Sequence, residues 1–188
     1  MGIKNIKNVY LIIFSIVVLL LFVIQPWHNS SQSSQNVQEI LAVKFERLAQ
    51  NGNSSCSANF ANSIDEMKPG SRLQGSCCSP MDFKIYSKQV EGLKKYTNIL
   101  EIPPDPYDID AGLAQKLKAY YDVPLSPEEQ KAYDYAMEHS HEKGPCCCKC
   151  WRWYVYGGLA KKLIHERGFQ GEQIVDVWNL SDGCGGAD

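Results

Sequence analysis

The chain begins with an apolar segment that follows two lysines and precedes a polar stretch. Val9–Ile24 is a run of sixteen residues without a charge, and with its uncharged neighbours it approaches the ~20 residues that a helix needs to cross a bilayer. We predict that residues 1–27 are a membrane anchor with a single transmembrane helix. Lys4 and Lys7 favour a cytoplasmic N-terminus, which places the rest of the chain outside the cytoplasm. A cleaved signal peptide is the alternative, although no small-residue cleavage pattern follows the run.

Residues 28–38 consist almost entirely of Ser, Asn, Gln and other polar residues. This composition is typical of a flexible linker between a membrane and a folded domain. From residue 39 onward, apolar residues recur at helical spacing, first in a segment that ends at Asn51-Gly52. We therefore predict one domain over residues 39–188, built mainly from α-helices.

Capping residues mark the predicted helices in the second half of the chain. Asp108 is expected to cap one helix, and Ser126 with Glu129 forms the capping-box pattern at the start of the next. Pro145 is expected to open a last long helix that ends at Gly168. A short helical segment is expected to follow it. The sequence thus predicts a mainly α fold without internal repeats.

Composition and charge narrow the possible functions. The chain is 44% hydrophobic and 21% charged, which is typical of a globular protein and excludes a fully disordered one. Once the two lysines of the predicted anchor are set aside, residues 28–188 carry a net charge of −4. A nucleic-acid-binding domain is typically basic, so we expect no nucleic acid partner.

Four of the eight cysteines fall within residues 146–150. If a helix begins just before this segment, successive residues rotate by about 100°. Cys146, Cys147 and Cys150 then lie in one sector, whereas Cys148 points away. Thiols in the first turn of a helix also lie near the positive end of its dipole, which stabilises the thiolate, the form that binds metal.

This pattern predicts a soft-metal site in the domain. The predicted ligands share a thiol or imidazole side chain and are Cys146, Cys147, Cys150, Cys77, Cys78, Cys148, Cys184 and His141. Thiolates select soft ions, so we expect Cu(I) or Zn(II), and Hg(II) has the same preference. The three internal methionines lie near Cys or His residues in the sequence, which favours copper, while zinc needs four closed ligands that this set can also supply.

Two other hypotheses explain the cysteines without a metal. In an exported domain the eight thiols could form four structural disulfides, in a surface domain that acts through protein contacts. The spacing in Cys147-Cys148-Lys149-Cys150 also suits a thiol–disulfide oxidoreductase, but the strand and helix alternation of a thioredoxin-like domain is absent from the pattern. Trp151 follows Cys150 where covalent c-type haem attachment needs His. We expect a binding protein rather than an enzyme.

The residues around the cysteine-rich segment resemble a known family. Ser126–Cys150, which contains AYDYAMEHSHEKGPCCCKC, is similar to the exported, often lipid-anchored bacterial and archaeal proteins named for a Pro-Cys-Tyr-Cys-Gly-Cys (PCYCGC) motif. The residues that match the proline and cysteines of the motif are Pro145, Cys146, Cys148 and Cys150. Cys147 replaces the tyrosine, Lys149 replaces the glycine, and Cys184 corresponds to a later family cysteine. The resemblance implies export and cysteine-dependent ligand binding.

These observations together predict a single-pass membrane protein with a small, helical, extracytoplasmic domain. The domain is expected to bind a soft metal through clustered cysteine thiolates, for metal handling or resistance.

Overall fold

The computed structural model describes residues 35–184 of the 188-residue chain. The predicted transmembrane helix and most of the predicted linker lie outside these residues. Among the helices that are described, none combines the length and the apolar character needed to cross a membrane. The chain divides into two compact units, Met1–Val43 and Lys44–Asp188. The described part of the first unit, residues 35–43, is helical.

The described residues are mainly helical, as the sequence predicts, and the strands among them are short. In chain order the elements are α1 (residues 35–51), α2 (Ala58–Ser63), β1 (Arg72–Gln74), α3 (Phe83–Leu93), β2 (Asp108–Asp110), α4 (Ala111–Tyr120), α5 (Pro127–His139), α6 (Trp151–Arg167) and α7 (Gly171–Leu180). Two 3₁₀ turns, Ile64–Glu66 and Lys94–Tyr96, continue α2 and α3.

Side-chain caps define the starts of α5 and α4. The Ser126 hydroxyl accepts a hydrogen bond from the Glu129 N–H, and the Glu129 carboxylate accepts one from the Ser126 N–H, so the predicted capping box of α5 is confirmed. The predicted cap of α4 is wrong by two residues. Asp110 caps that helix, whereas Asp108 lies in β2 and forms an ion pair with Arg72.

The predicted start of the last long helix at Pro145 is also wrong. The helix α6 begins at Trp151, and Cys150 is its N-cap. Gly144, with a φ of 152°, turns the chain just before Pro145, and residues 144–150 form an irregular loop. The predicted end is confirmed, because α6 stops at Gly168, which has the left-handed φ of 68° that favours glycine.

The helix α6 lies at the centre of the core, since most of its circumference is buried. It packs chiefly against α4, while α5 packs against α7. At the α4–α6 crossing, a Cβ added at Gly158 would lie 1.8 Å from the carbonyl oxygen of Leu117. The antiparallel strands β1 and β2 place buried Leu73 opposite buried Ile109 and so attach the β1 segment to this core.

The Gly158→Ala substitution tests the close crossing of α4 and α6. The added methyl group meets backbone, which cannot rotate away, so we expect the free energy of unfolding to fall by about 3 kcal/mol. Gly92→Ala in α3 is the control, because its methyl group meets only the flexible end of the Leu180 side chain and alanine favours a helix by about 1 kcal/mol. Urea unfolding measures both. A Gly158→Ala variant as stable as the wild type would contradict the crossing.

Candidate metal centre

All eight cysteines of the chain meet in one place. Four separate segments supply them: the loop before α2, the loop after β1, the loop between α5 and α6, and the residues after α7. In the same order these segments carry Cys56; Cys77 and Cys78; Cys146, Cys147, Cys148 and Cys150; and Cys184. All eight are free thiols. Tertiary structure therefore converts a dispersed set of cysteines into a single thiol cluster.

The distances between sulfur atoms in this thiol cluster suit metal ligation. Five Sγ–Sγ contacts fall between 3.6 and 3.9 Å and are Cys77–Cys78, Cys77–Cys150, Cys78–Cys147, Cys78–Cys148 and Cys146–Cys150. Two sulfurs bound to one ion through bonds of ~2.3 Å at a tetrahedral angle lie about 3.8 Å apart. Three other pairs are closer, at 2.7 to 2.9 Å, and are Cys56–Cys78, Cys146–Cys184 and Cys147–Cys184.

Five groups of three thiols have all their sulfur atoms within 4.8 Å of one another. These triads are Cys56–Cys77–Cys150, Cys56–Cys78–Cys148, Cys77–Cys78–Cys184, Cys146–Cys147–Cys184 and Cys146–Cys148–Cys150. Every cysteine belongs to at least one of them. Each triad can present three thiolate ligands to one metal ion.

Close backbone contact positions the loop that carries Cys77 and Cys78. The Gly75 N–H donates to the Tyr107 carbonyl, which extends the pairing of β1 with β2 by one residue. Gly75 has a φ of 80° and packs directly on Gly52, because a Cβ added at Gly75 would lie 2.7 Å from the Gly52 Cα. Glycine at position 75 thus lets the chain turn toward the thiol cluster immediately after β1.

The segment after α7 is hydrogen-bonded to the same loop. The Cys184 carbonyl accepts hydrogen bonds from both the backbone N–H and the hydroxyl of Ser79. The Cys184 N–H donates to the carboxylate of Asp182, which fixes the turn that brings the last cysteine back to the cluster. These bonds hold Cys184 beside Cys77 and Cys78, although more than a hundred residues separate them in the chain.

The loop before α6 is held by Ser140, which follows α5. Its hydroxyl accepts a hydrogen bond from the Gly144 N–H and donates to the Gly144 carbonyl, and both groups are buried. Because residues 144–150 are not helical, the predicted arrangement, in which Cys148 points away from its neighbours, is wrong. The Cys148 Sγ lies 3.7 Å from that of Cys78. Cys146 contacts Cys184, Cys148 contacts Cys78 and Cys147 contacts both, so all three turn toward the cluster, which a regular helix would not allow.

The buried guanidinium of Arg152 links three of the four cysteine-bearing segments. Its Nη1 donates to the Pro106 carbonyl and its Nη2 to the Gly75 carbonyl, at 2.6 and 3.1 Å. Gly183 packs on the guanidinium so closely that a Cβ there would lie 2.1 Å from the Arg152 Cζ. Arg152 follows Cys150 by two residues and is 1% exposed. Its side chain therefore holds together the end of β1, the start of α6 and the segment that follows α7.

No carboxylate in the part of the chain that the structure describes forms an ion pair with Arg152. The rings of Trp151 and Tyr107 lie against the guanidinium, with centroids 4.5 and 5.7 Å from Cζ. Burial disfavours its charge, but nearby groups, Tyr156 and Cys77 among them, outweigh burial and raise the pKa of Arg152. Cys77, whose pKa is lowered and whose charge favours the charged guanidinium, is the thiolate of the cluster that compensates this buried cation.

The thiols alter one another's protonation. The pKa of Cys77 lies well below the ordinary value of a thiol, because hydrogen bonds from Cys146 and Cys150 stabilise its thiolate. Burial raises the pKa of Cys56 to about 12 and also raises that of Cys78. The hydrogen bond with Cys146 lowers the pKa of Cys150, but Cys77 and burial outweigh it and raise this pKa to about 12. Without a metal the cluster thus keeps most of its protons, which bound cations would replace.

The thiol cluster has a buried side and an exposed side. Cys146, Cys150 and Cys184 are 1 to 6% exposed and lie within the hydrophobic core. Cys78 and Cys147 are exposed at the surface, and their sulfur atoms lie 3.7 Å apart. An ion can therefore reach the cluster from solvent at this pair, while the buried thiols exclude water from the opposite side.

The structure brings together seven of the eight ligands that the sequence predicts. The eighth, His141, is exposed and belongs to none of the triads, and its backbone N–H donates to the Asn179 side chain. The structure adds Cys56, whose thiol donates to the Cys77 carbonyl and whose Sγ lies 2.7 Å from that of Cys78. The sequence signals for Cys56 were its residue type and its position in a loop rich in Ser, Asn and Gly that can fold over the other cysteines, since its loop has no spacing relation to them.

The raised thiol pKa values predict a loss of stability at alkaline pH in the reduced, metal-free protein. Cysteines of an unfolded chain ionise near pH 8.5, whereas Cys56 and Cys150 have a pKa of about 12 in the folded state. Above pH 9 the unfolded chain therefore binds fewer protons, so the free energy of unfolding should fall as pH rises. Cys77, whose pKa is lowered, is ionised in both states there and does not oppose this trend.

Urea unfolding at pH 9 and pH 10.5, with reductant and chelator, measures this fall. Buried tyrosines contribute to it as well, so the Cys56→Ser variant serves as the reference, because it lacks one raised thiol and should show a shallower decline. Equal declines in the variant and the wild type would contradict the thiol contribution.

Arg152→Leu should lower both stability and metal affinity. It leaves the Pro106 and Gly75 carbonyls buried without a donor, at a cost of about 1–3 kcal/mol each. It also removes the positive charge that the thiolates face. Arg152→Lys keeps the charge, so we expect it to retain more metal affinity than Arg152→Leu. Urea unfolding and competition with a chromophoric chelator measure the two quantities, and an Arg152→Leu variant unchanged in both would refute this role.

Comparison with known proteins identifies no relative from which a function could be inferred, so the thiol cluster is the basis for a proposal. No family model, no curated protein and no solved structure matches the chain.

Proposed function

We propose that this protein binds soft metal ions through one cluster of eight cysteine thiolates. The observation that carries the proposal is the convergence of eight free thiols from four segments, at separations that a single metal ion spans. Thiolates select Cu(I), Zn(II) and other soft ions over hard ones. The side chains of the cluster are all sulfur ligands, so hard ions such as Mg²⁺ and Ca²⁺ would bind it poorly.

Metal binding also accounts for the energetic cost of the arrangement. Six of the eight clustered thiols are buried or half-buried, and ionising more than one of them without a counter-ion places like charges together. Bound cations remove this repulsion and connect four loops that otherwise depend on a few hydrogen bonds. The free energy of metal binding would therefore add to the free energy of folding.

The geometry argues against a [4Fe–4S] cluster. In such a cluster each of the four irons takes one cysteine, and sulfide ions bridge the irons, so the cysteine sulfurs lie further apart than two ligands of one ion. Here the sulfur atoms of Cys77, Cys78 and Cys150 are separated by 3.6 to 3.9 Å along the chain of contacts.

Metal handling or resistance at a membrane is the role that we propose for this site. The predicted N-terminal anchor would hold the thiol cluster outside the cytoplasm, close to the bilayer, and the resemblance to the PCYCGC-motif proteins agrees with export. Both of these remain predictions. The exposed pair Cys78 and Cys147 gives an ion a path into and out of the cluster, which suits a carrier or scavenger. The proposal needs no catalytic step.

The mass of the intact protein tests this function. The full-length chain, purified in mild detergent under inert gas, without added reductant and without chelator, should carry bound soft metal in native mass spectra. The Cys146→Ser/Cys150→Ser double variant should lose most of it, because these two thiols occupy three of the five triads. His141→Ala is the matched control and should bind as the wild type does, since His141 lies outside every triad.

The same spectra distinguish the competing hypothesis. A metal-free protein whose mass is lower by about 8 Da would contain four disulfides and would contradict metal binding. Full metal retention in the double variant would contradict the assignment of the thiol cluster as the site.

A further inference from the structure

The pattern in which the triads share thiols indicates how many ions the cluster takes and of which kind. This inference rests on the proposed soft-metal function and adds the nature of the metal. Seven of the eight cysteines belong to two triads each, and Cys147 alone belongs to one. The triads therefore cannot be filled as separate sites with their own ligands. A thiolate sulfur has more than one lone pair and can bind two ions at once, so each shared cysteine is positioned as a bridge between two neighbouring ions.

The size of the groups bears on the identity of the ion. Each of the five groups contains three thiols, and within residues 35–184 none contains four that are all within 4.8 Å of one another. Zinc in closed protein sites is almost always four-coordinate and tetrahedral. Cu(I) is a soft monovalent ion that accepts two or three thiolates. Triads in which no fourth described thiol lies within 4.8 Å of all three sulfurs, and to which His141 does not belong, fit the ion of lower coordination number.

Charge gives a second argument, for filling all five triads with a monovalent ion. Five monovalent cations with eight thiolates carry a net charge of −3, whereas five divalent cations would carry +2, and the cluster stays anionic with no more than three divalent ions. The guanidinium of Arg152 is buried next to the cluster, has no carboxylate partner among residues 35–184, and packs on Gly183, the neighbour of Cys184. A buried cation is stabilised by an anionic cluster and repelled by a cationic one.

We propose that the eight thiols form one polynuclear Cu(I)–thiolate cluster, in which shared cysteines bridge neighbouring ions and up to five ions occupy the five triads. Each Cu(I) enters as a monovalent ion and leaves as one, so no electron is transferred, and the thiols that become ligands release their protons to solvent. Filling all five triads ligates all eight thiols.

Two exposed cysteines provide a matched test of the sharing pattern. Cys78 and Cys147 both lie at the surface, with their sulfur atoms 3.7 Å apart, so replacing either with serine leaves the hydrophobic core intact. Cys78 belongs to two triads and Cys147 to one. The two variants thus differ in the number of triads they remove and little in their expected effect on the fold.

The experiment is an anaerobic titration of the full-length, reduced protein with Cu(I), delivered as its acetonitrile complex and followed by native mass spectrometry. We expect up to five copper ions per wild-type chain, up to four in Cys147→Ser and up to three in Cys78→Ser. Zn(II) titrated in parallel should bind in smaller number. Circular dichroism establishes that each variant keeps its helices. X-ray absorption of the loaded wild type should show copper bound by about three sulfurs, with a copper–copper scattering shell that only bridged ions produce.

Each alternative result has a distinct meaning. A single ion per chain, with no copper–copper shell, would overturn the polynuclear cluster but leave soft-metal binding intact. Zn(II) bound in equal number would overturn the assignment to Cu(I). Equal losses in Cys78→Ser and Cys147→Ser would overturn the triad pattern. A protein that binds neither copper nor any other soft metal would overturn both this proposal and the proposed function. If a variant loses its helices, the wild-type absorption spectrum still decides the question.

Discussion

The position of one buried cation determines how the cysteine-bearing loops meet. Arg152 reaches from the first turn of α6 to the backbone carbonyls of two other segments, and Gly183 packs on its guanidinium plane. Among residues 35–184 no carboxylate forms an ion pair with this charge, which at such depth is costly unless other anions compensate it. The thiolate of Cys77 is one such anion. The side chain that holds the loops in register is therefore stabilised by a negative charge within the cluster beside it.

The irregular loop before α6 is as important to the thiol cluster as the helices around it. Adjacent residues in a helix point about 100° apart, so a helical segment could offer only part of its cysteines to one centre. Gly144 turns the chain, and Ser140 forms hydrogen bonds with both the N–H and the carbonyl of that glycine. Residues 144–150 are therefore not helical. Neighbouring cysteines can then contact sulfurs from different segments. Close contacts between glycines, as at Gly75 and Gly52, bring those segments near enough.

The fold gives the cluster buried thiols, which would hold ions firmly, and exposed thiols, at which ions could be exchanged. Cys146 and Cys150 are built into the hydrophobic core, where bound ions would be protected from water and oxidants. Cys78 and Cys147 lie at the surface, where ligand exchange can begin. A protein that only stored metal would gain from burying all its thiols. An exposed pair suits one that also accepts ions from, or passes them to, another carrier.

The sequence by itself determined the helical class of the domain, the capping box of α5 and the end of α6, because these depend on local periodicity, a reciprocal cap and a glycine that tolerates positive φ. It also determined that the chemistry would be that of thiols. It did not determine which cysteines meet, since Cys56 and Cys184 reach the cluster only through the pairing of distant segments. Nor did it show that the α6 loop departs from a helix, or that His141 lies elsewhere. Those features follow from long-range packing, in which contacts between loops far apart in sequence outweigh local helical preference.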